Sequence, residues 1–353
     1  MADINLRQEL LTRFFNYIKS TESFYVVGGA SMGKTRLLDF LTQEEVQKHY
    51  LGEASSHTWL VRVDTNRLSI KNEPWAFYEL LLSSTVLELT RHQDKNNIRG
   101  ELVDLDARVI QSHDLLLALR FFEMAVNRLC QVFGLKLCFM LDEFDEAYKH
   151  LPRETFSQLR AVRDANKSSV SFAVFLRTLP ERLRSTQDNE SFYELMSRNM
   201  LGLGPYSRTD TLQILQNLES RRGHQLTPAQ RDRFYEATGG HIGLIQAFLS
   251  LVIENPEEAD KVGTPGWMDL FGSHPASIEE CRKLCAGLDK DEVNVLLDFA
   301  KGNPLQTSDT ATKLLFTKGL LQEKDQGTSF FSPVFEEYIR RLVRSGPQAD
   351  SPK

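Results

Sequence analysis

The sequence predicts an α/β fold: a doubly wound parallel sheet of five strands, followed by a helical lid and a smaller C-terminal module of helices with one hairpin. Three observations carry the prediction. A glycine-rich turn joins an apolar strand to an amphipathic helix near the N-terminus. Short β-branched and aromatic runs then alternate with helical patterns as far as Leu203. The remainder is helical in period until a polar hairpin at Asp325-Gln326-Gly327.

Taken in order, Leu6 to Ile18 has the spacing of an amphipathic helix, and Phe24-Tyr25-Val26-Val27 is the first strand. Leu37, Leu38, Phe40 and Leu41 mark the helix after the turn. Thr58 to Asp64 is the second strand, ending in an aspartate. Helical spacing runs from about Pro74 to Leu89, the stretch Asp94 to Gly100 breaks it, and Leu115 to Phe133 resumes it. Leu135 to Leu141 is a buried central strand, Arg153 to Ala165 a helix with Leu159 and Val162 on one face, Val170 to Leu176 the fourth strand and Met200 to Leu203 a short fifth. Strands joined by helical crossovers imply parallel order.

Between the first strand and its helix lies Gly28-Gly29-Ala30-Ser31-Met32-Gly33-Lys34-Thr35, the pattern of a phosphate-binding P-loop. Glycines let the backbone curl until successive N–H groups point inward at a nucleotide's phosphates, and the following helix adds the positive end of its dipole. These residues, with Arg36 beside them, are the candidate nucleotide-binding positions. Lys34 is expected to reach the β- and γ-phosphates of ATP, and Thr35 to place its hydroxyl on Mg²⁺.

The central strand runs directly into Asp142-Glu143-Phe144-Asp145-Glu146, at the edge where ligands bind in parallel α/β sheets. Asp142 is placed to hold Mg²⁺ through water, as a Walker B aspartate does, and Glu143 to orient or deprotonate an attacking water. Asp145 and Glu146 fit the first turn of a helix, where carboxylates are favoured. Arg177 closes the fourth strand, where a cation can touch a γ-phosphate or simply reach solvent. Arg198, just before the fifth strand, is a candidate arginine finger toward a neighbouring subunit, or a solvated side chain.

At 353 residues, 41% hydrophobic and 25% charged, the chain can bury one full core and still supply one or two smaller modules. A formal net charge of −6 argues against a whole-protein footprint for nucleic acid and leaves only a local basic face open. No apolar run approaches the ~18 residues of a membrane span, and the N-terminus lacks a basic, apolar leader, so no membrane partner and a cytoplasmic location are expected. Cys130 and Cys138 fall in apolar contexts, and Cys281 and Cys285 stand one helical turn apart without a further Cys or His pair. Buried thiols, not zinc or disulfides, are expected.

Three helical patterns, Asp210 to Leu218, Pro228 to Ala237 and Leu244 to Ile253, form the lid, the middle one starting after Thr227 as N-cap. Residues 255–276, rich in proline and glycine, read as a linker in which Trp267, Leu270 and Phe271 are placed to dock on a neighbouring domain. From Ser277 to Arg344 come a helix through Leu296, Leu297 and Phe299, a second with Ala311, Leu314 and Leu315, the hairpin, and a closing helix. The charges of this module nearly cancel, and the stretch before Gly319 offers only Lys313 and Lys318 as cations. The tail 345–353 is short and polar and reads as disordered.

The set Gly28 to Thr35, Asp142-Glu143, Arg177, Leu201 to Ser207 and Thr238-Gly239-Gly240-His241-Ile242-Gly243-Leu244 resembles the P-loop ATPases of the AAA+ and STAND group, prokaryotic STAND and origin-recognition-like ATPases in particular. The resemblance spans about residues 1–344. It implies a nucleotide-binding domain over 1–207, a lid over 208–254 and, after the linker 255–276, a winged helix over 277–344. It also implies that Arg177 senses the γ-phosphate and that Gly240 and His241 approach the nucleotide, although His241-Ile242 stands where the family often has Asn-Pro. The expected cofactors are ATP and Mg²⁺, bound between sheet and lid. The expected function is an ATP-hydrolysing switch that couples nucleotide state to lid and winged-helix position. Its partner is expected to be another copy or a separate effector or sensor protein, since little chain precedes Gly28 and little follows the closing helix. Two alternatives stay open: an ATPase that assembles on DNA in replication or transposition, and an ATP-binding scaffold with little turnover. A protein-contact winged helix is favoured over a DNA-reading one.

Overall fold

The computed structural model describes residues 6–68, 73–92, 96–188, 190–222, 225–324 and 327–345. Asp94, the hairpin tip Asp325-Gln326 and the tail 346–353 lie outside them; Ser345 itself ends a helix. The chain divides into two units, one holding Gln8–Val27 and Thr35–Leu201, the other Arg7, Gly28–Lys34 and the chain from Gly202 onward.

The first unit is built on the strands β1 (Phe24–Gly28), β2 (Thr58–Asp64), β3 (Lys136–Asp142), β4 (Val170–Leu176) and β5 (Met200–Leu203), in the order β2-β3-β4-β1-β5. The pairs β2–β3, β3–β4 and β4–β1 are parallel, with Asp64 opposite Asp142 and Val27 opposite Leu176. The carboxyl ends of β1, β3 and β4 therefore open on one edge of the sheet. Every residue of β4 is buried, as its unbroken apolar run requires. Phe122 meets Phe139 edge to face and Phe139 stacks on Phe172, at centroid spacings of 5.5 and 5.9 Å. Each ring so buried contributes about 1.5–3 kcal/mol.

Residues 94–100 were expected to break the helical pattern, yet a helix, Asn96–Ser112, runs through most of them. Its buried face is Ile98, Leu102, Leu105 and Val109. Steps of four, three and four residues keep these on one side of a helix, a period that the polar start of the segment masks. The next helix, Leu115–Asn127, is capped by the Asp114 carboxylate, which accepts the Leu117 N–H at 2.8 Å, and passes into a π-helical turn, Arg128–Val132. Short helices Pro180–Leu183 and Glu190–Met196, absent from the sequence reading, precede β5. Among the described residues no helix is long and apolar enough to cross a membrane.

In the second unit the helices Arg208–Arg222, Pro228–Thr238 and Ile242–Glu254 follow one another. Thr227 and Gln230 close a capping box on the middle one. Within 255–276 the chain forms a 3₁₀ turn, Pro256–Lys261, and a helix, Trp267–Gly272. Trp267 and Phe271 are buried against Phe234 and Phe248, with the Phe248 and Phe271 rings 4.9 Å apart, while Leu270 is exposed. Helices Pro275–Ala286, Lys290–Ala300 and Thr310–Thr317 lead to an antiparallel hairpin, β6 (Leu321–Lys324) with β7 (Gly327–Phe330), and the chain closes on Pro333–Ser345.

One expectation for this region is overturned. Lys318, read as an available cation, is wholly buried, and its Nζ donates to both carboxylate oxygens of Glu292 at 2.6 and 2.8 Å. It is an internal counter-charge, and Lys313 alone of the two remains exposed. The four cysteines are free thiols, three of them buried, with burial pushing Cys130, Cys138 and Cys285 up to about 12.

Candidate nucleotide-binding site

The loop after β1 takes the curled form that its glycines permit. Ser31 (φ 54°) and Gly33 (φ 85°) both lie in the left-handed region, so the backbone reverses its sense twice before the helix Lys34–Leu41 begins. Gly33 is required twice over, because a Cβ there would also stand 2.9 Å from the Tyr206 hydroxyl. Lys34 is buried at the helix start, Thr35 is exposed and Arg36 half-buried.

Two side chains hold this loop, and the first of them, Arg7, was absent from the sequence reading. Arg7 donates Nη2 to the Met32 carbonyl at 2.9 Å and Nη1 to the Gly204 carbonyl at 2.7 Å, with its guanidinium 3.8 Å above the Tyr206 ring. Burial pulls its pKa down, opposed by Tyr206 and Asp210, but an arginine so placed remains a cation. Arg7 lies within the segment read as the first amphipathic helix, Leu6 to Ile18, whereas the helix itself starts one residue later, at Gln8.

His241 is the second contact to the loop. Its Nδ1 accepts the Leu244 N–H at 3.2 Å, capping the helix Ile242–Glu254. That assigns the ring proton to Nε2, which faces the Ala30 carbonyl at 3.5 Å. Burial drives the imidazole pKa down to about 4, against the Ala30 carbonyl and Glu280, so the ring is neutral at pH 7. A histidine side chain thus serves as the N-cap of this helix. Gly240 (φ 80°) packs backbone to backbone on Tyr206, whose carbonyl would stand 2.1 Å from a Cβ, and its own carbonyl accepts the Tyr206 N–H at 3.0 Å.

In the first unit, Asp142 ends β3 with its carboxylate buried, and Glu143 follows at φ 50°, a left-handed conformation that costs a non-glycine residue about 1–3 kcal/mol. The neighbours that hold it there are visible. The Thr65 hydroxyl lies 2.8 Å from the Asp142 carbonyl and 2.9 Å from the Glu143 carbonyl, and the Phe144 N–H donates to the Phe175 carbonyl at 3.2 Å. Arg177 donates Nε and Nη2 to Glu143 Oε2 at 3.1 and 2.6 Å, while its backbone N–H donates to Asp145 Oδ1 at 2.9 Å. Asp145 therefore does more than start a helix: it fixes the backbone at Arg177. Burial opposes the Arg177 charge, yet Glu143, Asp145 and Glu146 together raise its pKa. On the other side, Arg62 on β2 donates Nη2 to Asp142 Oδ2 at 3.2 Å and Nη1 to Asp39 Oδ1 at 2.5 Å. Arg198 is exposed in the turn before β5.

The candidate metal donors, the Thr35 hydroxyl and the Asp142 carboxylate, are hard oxygens of the kind Mg²⁺ takes alongside phosphate and water. Against known proteins, no protein family matches the sequence, and no characterised protein matches it in sequence. Solved structures do match in fold. The Walker-type ATPase PABY2304 of Pyrococcus abyssi superposes with a TM-score of 0.58 at 14% identity, over 95% of each chain. The chain shares its fold with a Walker-type ATPase. The ADP form of the ORC2 protein of Aeropyrum pernix superposes with a TM-score of 0.55 at 15% identity, over 96% of this chain and 93% of that one. At these identities the likeness is one of fold.

Proposed function

We propose that the chain is an ATP-binding and ATP-hydrolysing switch of the STAND/AAA+ type, in which nucleotide state sets the conformation of the helices over 208–254 and of a winged-helix module over 277–344, and with it assembly with a partner protein. The observation that carries the reading is the Arg177–Glu143 pair at the carboxyl edge of a sheet in which β4 lies between the P-loop strand and the acidic strand. The fold shared with a Walker-type ATPase supports it.

In this reading Gly28 to Lys34 cradle the phosphates, Lys34 neutralises their charge and Arg36 lies beside them. Mg²⁺, held by Thr35 and through water by Asp142, would neutralise charge on the β- and γ-phosphates. Glu143 accepts the proton of the attacking water, and Arg177 exchanges its carboxylate partner for the γ-phosphate, freeing Glu143 for that task. The Ala30 and Met32 carbonyls offer the link to the rest of the switch, since His241 and Arg7 touch the loop there. With Lys318 paired internally, a DNA-reading role for the module loses half of its expected cations, which favours a protein contact.

Two substitutions test the reading. Lys34→Ala is expected to abolish ATP binding in a calorimetric titration, whereas Glu143→Gln is expected to keep binding and lose turnover. ATP affinity equal to wild type in Lys34→Ala would remove the P-loop assignment.

A further inference from the structure

Arg62 has no part in the reading above, yet it is bonded to the residue that reading gives to the metal. It sits on the edge strand β2, opposite Met140 and two residues before Asp64, which is itself opposite Asp142. Side chains two apart on a strand share a face, so a long side chain at 62 that leans along β2 arrives at the Asp142 carboxylate. It meets Oδ2 at 3.2 Å, while its other terminal nitrogen is tied to Asp39 Oδ1 at 2.5 Å. The three groups grade outward: the Asp142 side chain is 4% exposed, Arg62 28% and Asp39 62%.

An outer pair as exposed as Asp39–Arg62 contributes little to stability. Its consequence is geometric. The guanidinium is a rigid planar fork, and with one arm fixed by Asp39 the other arm's direction is set. A buried carboxylate held through one oxygen by a fixed donor cannot rotate freely about its terminal torsion, so the direction of its second oxygen is also set. Partners of this kind orient carboxylates around metal ions and govern their affinity. A lysine would supply the charge without the fork.

We propose that Arg62 is a positioning residue for Asp142: steadied by Asp39, it fixes the orientation of the carboxylate and thereby sets the affinity for the divalent cation that accompanies bound nucleotide. The proposal rests on the nucleotide-switch reading and adds to it a residue and a property, metal affinity, that the reading leaves unassigned. A guanidinium near a cation site also repels the cation. Asp39 offsets that repulsion, so orientation is the effect expected to dominate.

The test uses the full chain with ADP as nucleotide and Mn²⁺ as a paramagnetic divalent probe, read by electron paramagnetic resonance. ADP affinity is measured separately in EDTA, and thermal melting confirms folding. Arg62→Gln is expected to weaken Mn²⁺ binding in the ADP complex about tenfold while ADP affinity in EDTA stays within about twofold. Arg62→Lys is expected to recover part of the loss, and Asp39→Asn to weaken Mn²⁺ about two- to threefold. Unchanged or tighter Mn²⁺ binding in a folded Arg62→Gln would overturn the proposal, the tighter case meaning that repulsion governs. Should Arg62→Gln fail to fold, Arg62→Lys decides in the same way, because it keeps the charge and loses only the fork: weaker Mn²⁺ binding than wild type supports the proposal, and unchanged or tighter binding overturns it. A wild-type chain that binds no ADP overturns the switch reading itself and the proposal with it, whereas wild-type binding with indifferent variants overturns the proposal alone.

Discussion

Replacing Arg177 by alanine separates two quantities that a single salt bridge usually confounds. The pair is short, 2.6 Å from Nη2 to Glu143 Oε2, but the Arg177 side chain is 53% exposed and that of Glu143 21%. At such exposure solvent screens most of the attraction, and exposed pairs contribute no more than about 1 kcal/mol to stability. Arg177→Ala should therefore leave thermal unfolding nearly unchanged, the more so because Asp145 binds the backbone N–H at 177, which alanine keeps. A charge-assisted hydrogen bond from the guanidinium to a γ-phosphate is a different matter, at about 1.5–3 kcal/mol. That corresponds to a loss of about 10- to 150-fold in ATP affinity with ADP affinity little changed. Paired calorimetric titrations of ATP and ADP on wild type and variant, with melting curves on the same samples, read both quantities. An ATP/ADP affinity ratio that does not move would refute the sensing role. A stability loss of several kcal/mol would refute the argument that solvent screens the pair.

His241 should make stability depend on pH. Its folded pKa of about 4 lies below the unfolded 6.5, so its contribution is fully present above 6.5 and is lost as pH falls through 4. That loss amounts to about 2 kcal/mol between pH 7 and 5. His241→Asn, which keeps an acceptor for the Leu244 N–H, should remove most of that slope in urea unfolding at the two pH values; an identical slope would mean other groups cause it. Lys318→Met should destabilise by about 3–5 kcal/mol, since it leaves the Glu292 carboxylate buried without its counter-charge, while the double variant Lys318→Met/Glu292→Leu should regain most of this. Denaturant midpoints that are equal for the single variant and wild type would contradict the burial of the pair. Duplex DNA should bind no more tightly than about 10⁻⁶ M at 0.15 M salt, and Lys313→Ala should change that little; nanomolar binding by fluorescence anisotropy would revive the DNA-assembly alternative.

The alternation of strands and helices, the curled glycine-rich loop after β1 and the Asp142-Glu143 end of β3 were legible because each is local. A buried parallel strand must be apolar along its length, a curled loop needs glycine at Gly33, and carboxylates beside an apolar run have one edge to occupy. Strand bounds such as Thr58–Asp64 and Val170–Leu176 follow from composition alone. The helix Asn96–Ser112 escaped because its polar first turn hides a heptad-spaced face whose period shows only from Ile98 onward.

What the tertiary structure alone decided is pairing across distance in the sequence. Nothing near Arg62 announces that strand register carries it to Asp142, and nothing near Lys318 announces Glu292 as its partner. Arg7, Thr65 and His241 likewise take their roles from backbone carbonyls and N–H groups that every residue possesses and no sequence pattern marks. Residue type fixed which side chains carry charge or fit a tight turn. Folding fixed which of those charges meet, because a long-range contact depends on where whole elements pack and not on the residues beside it.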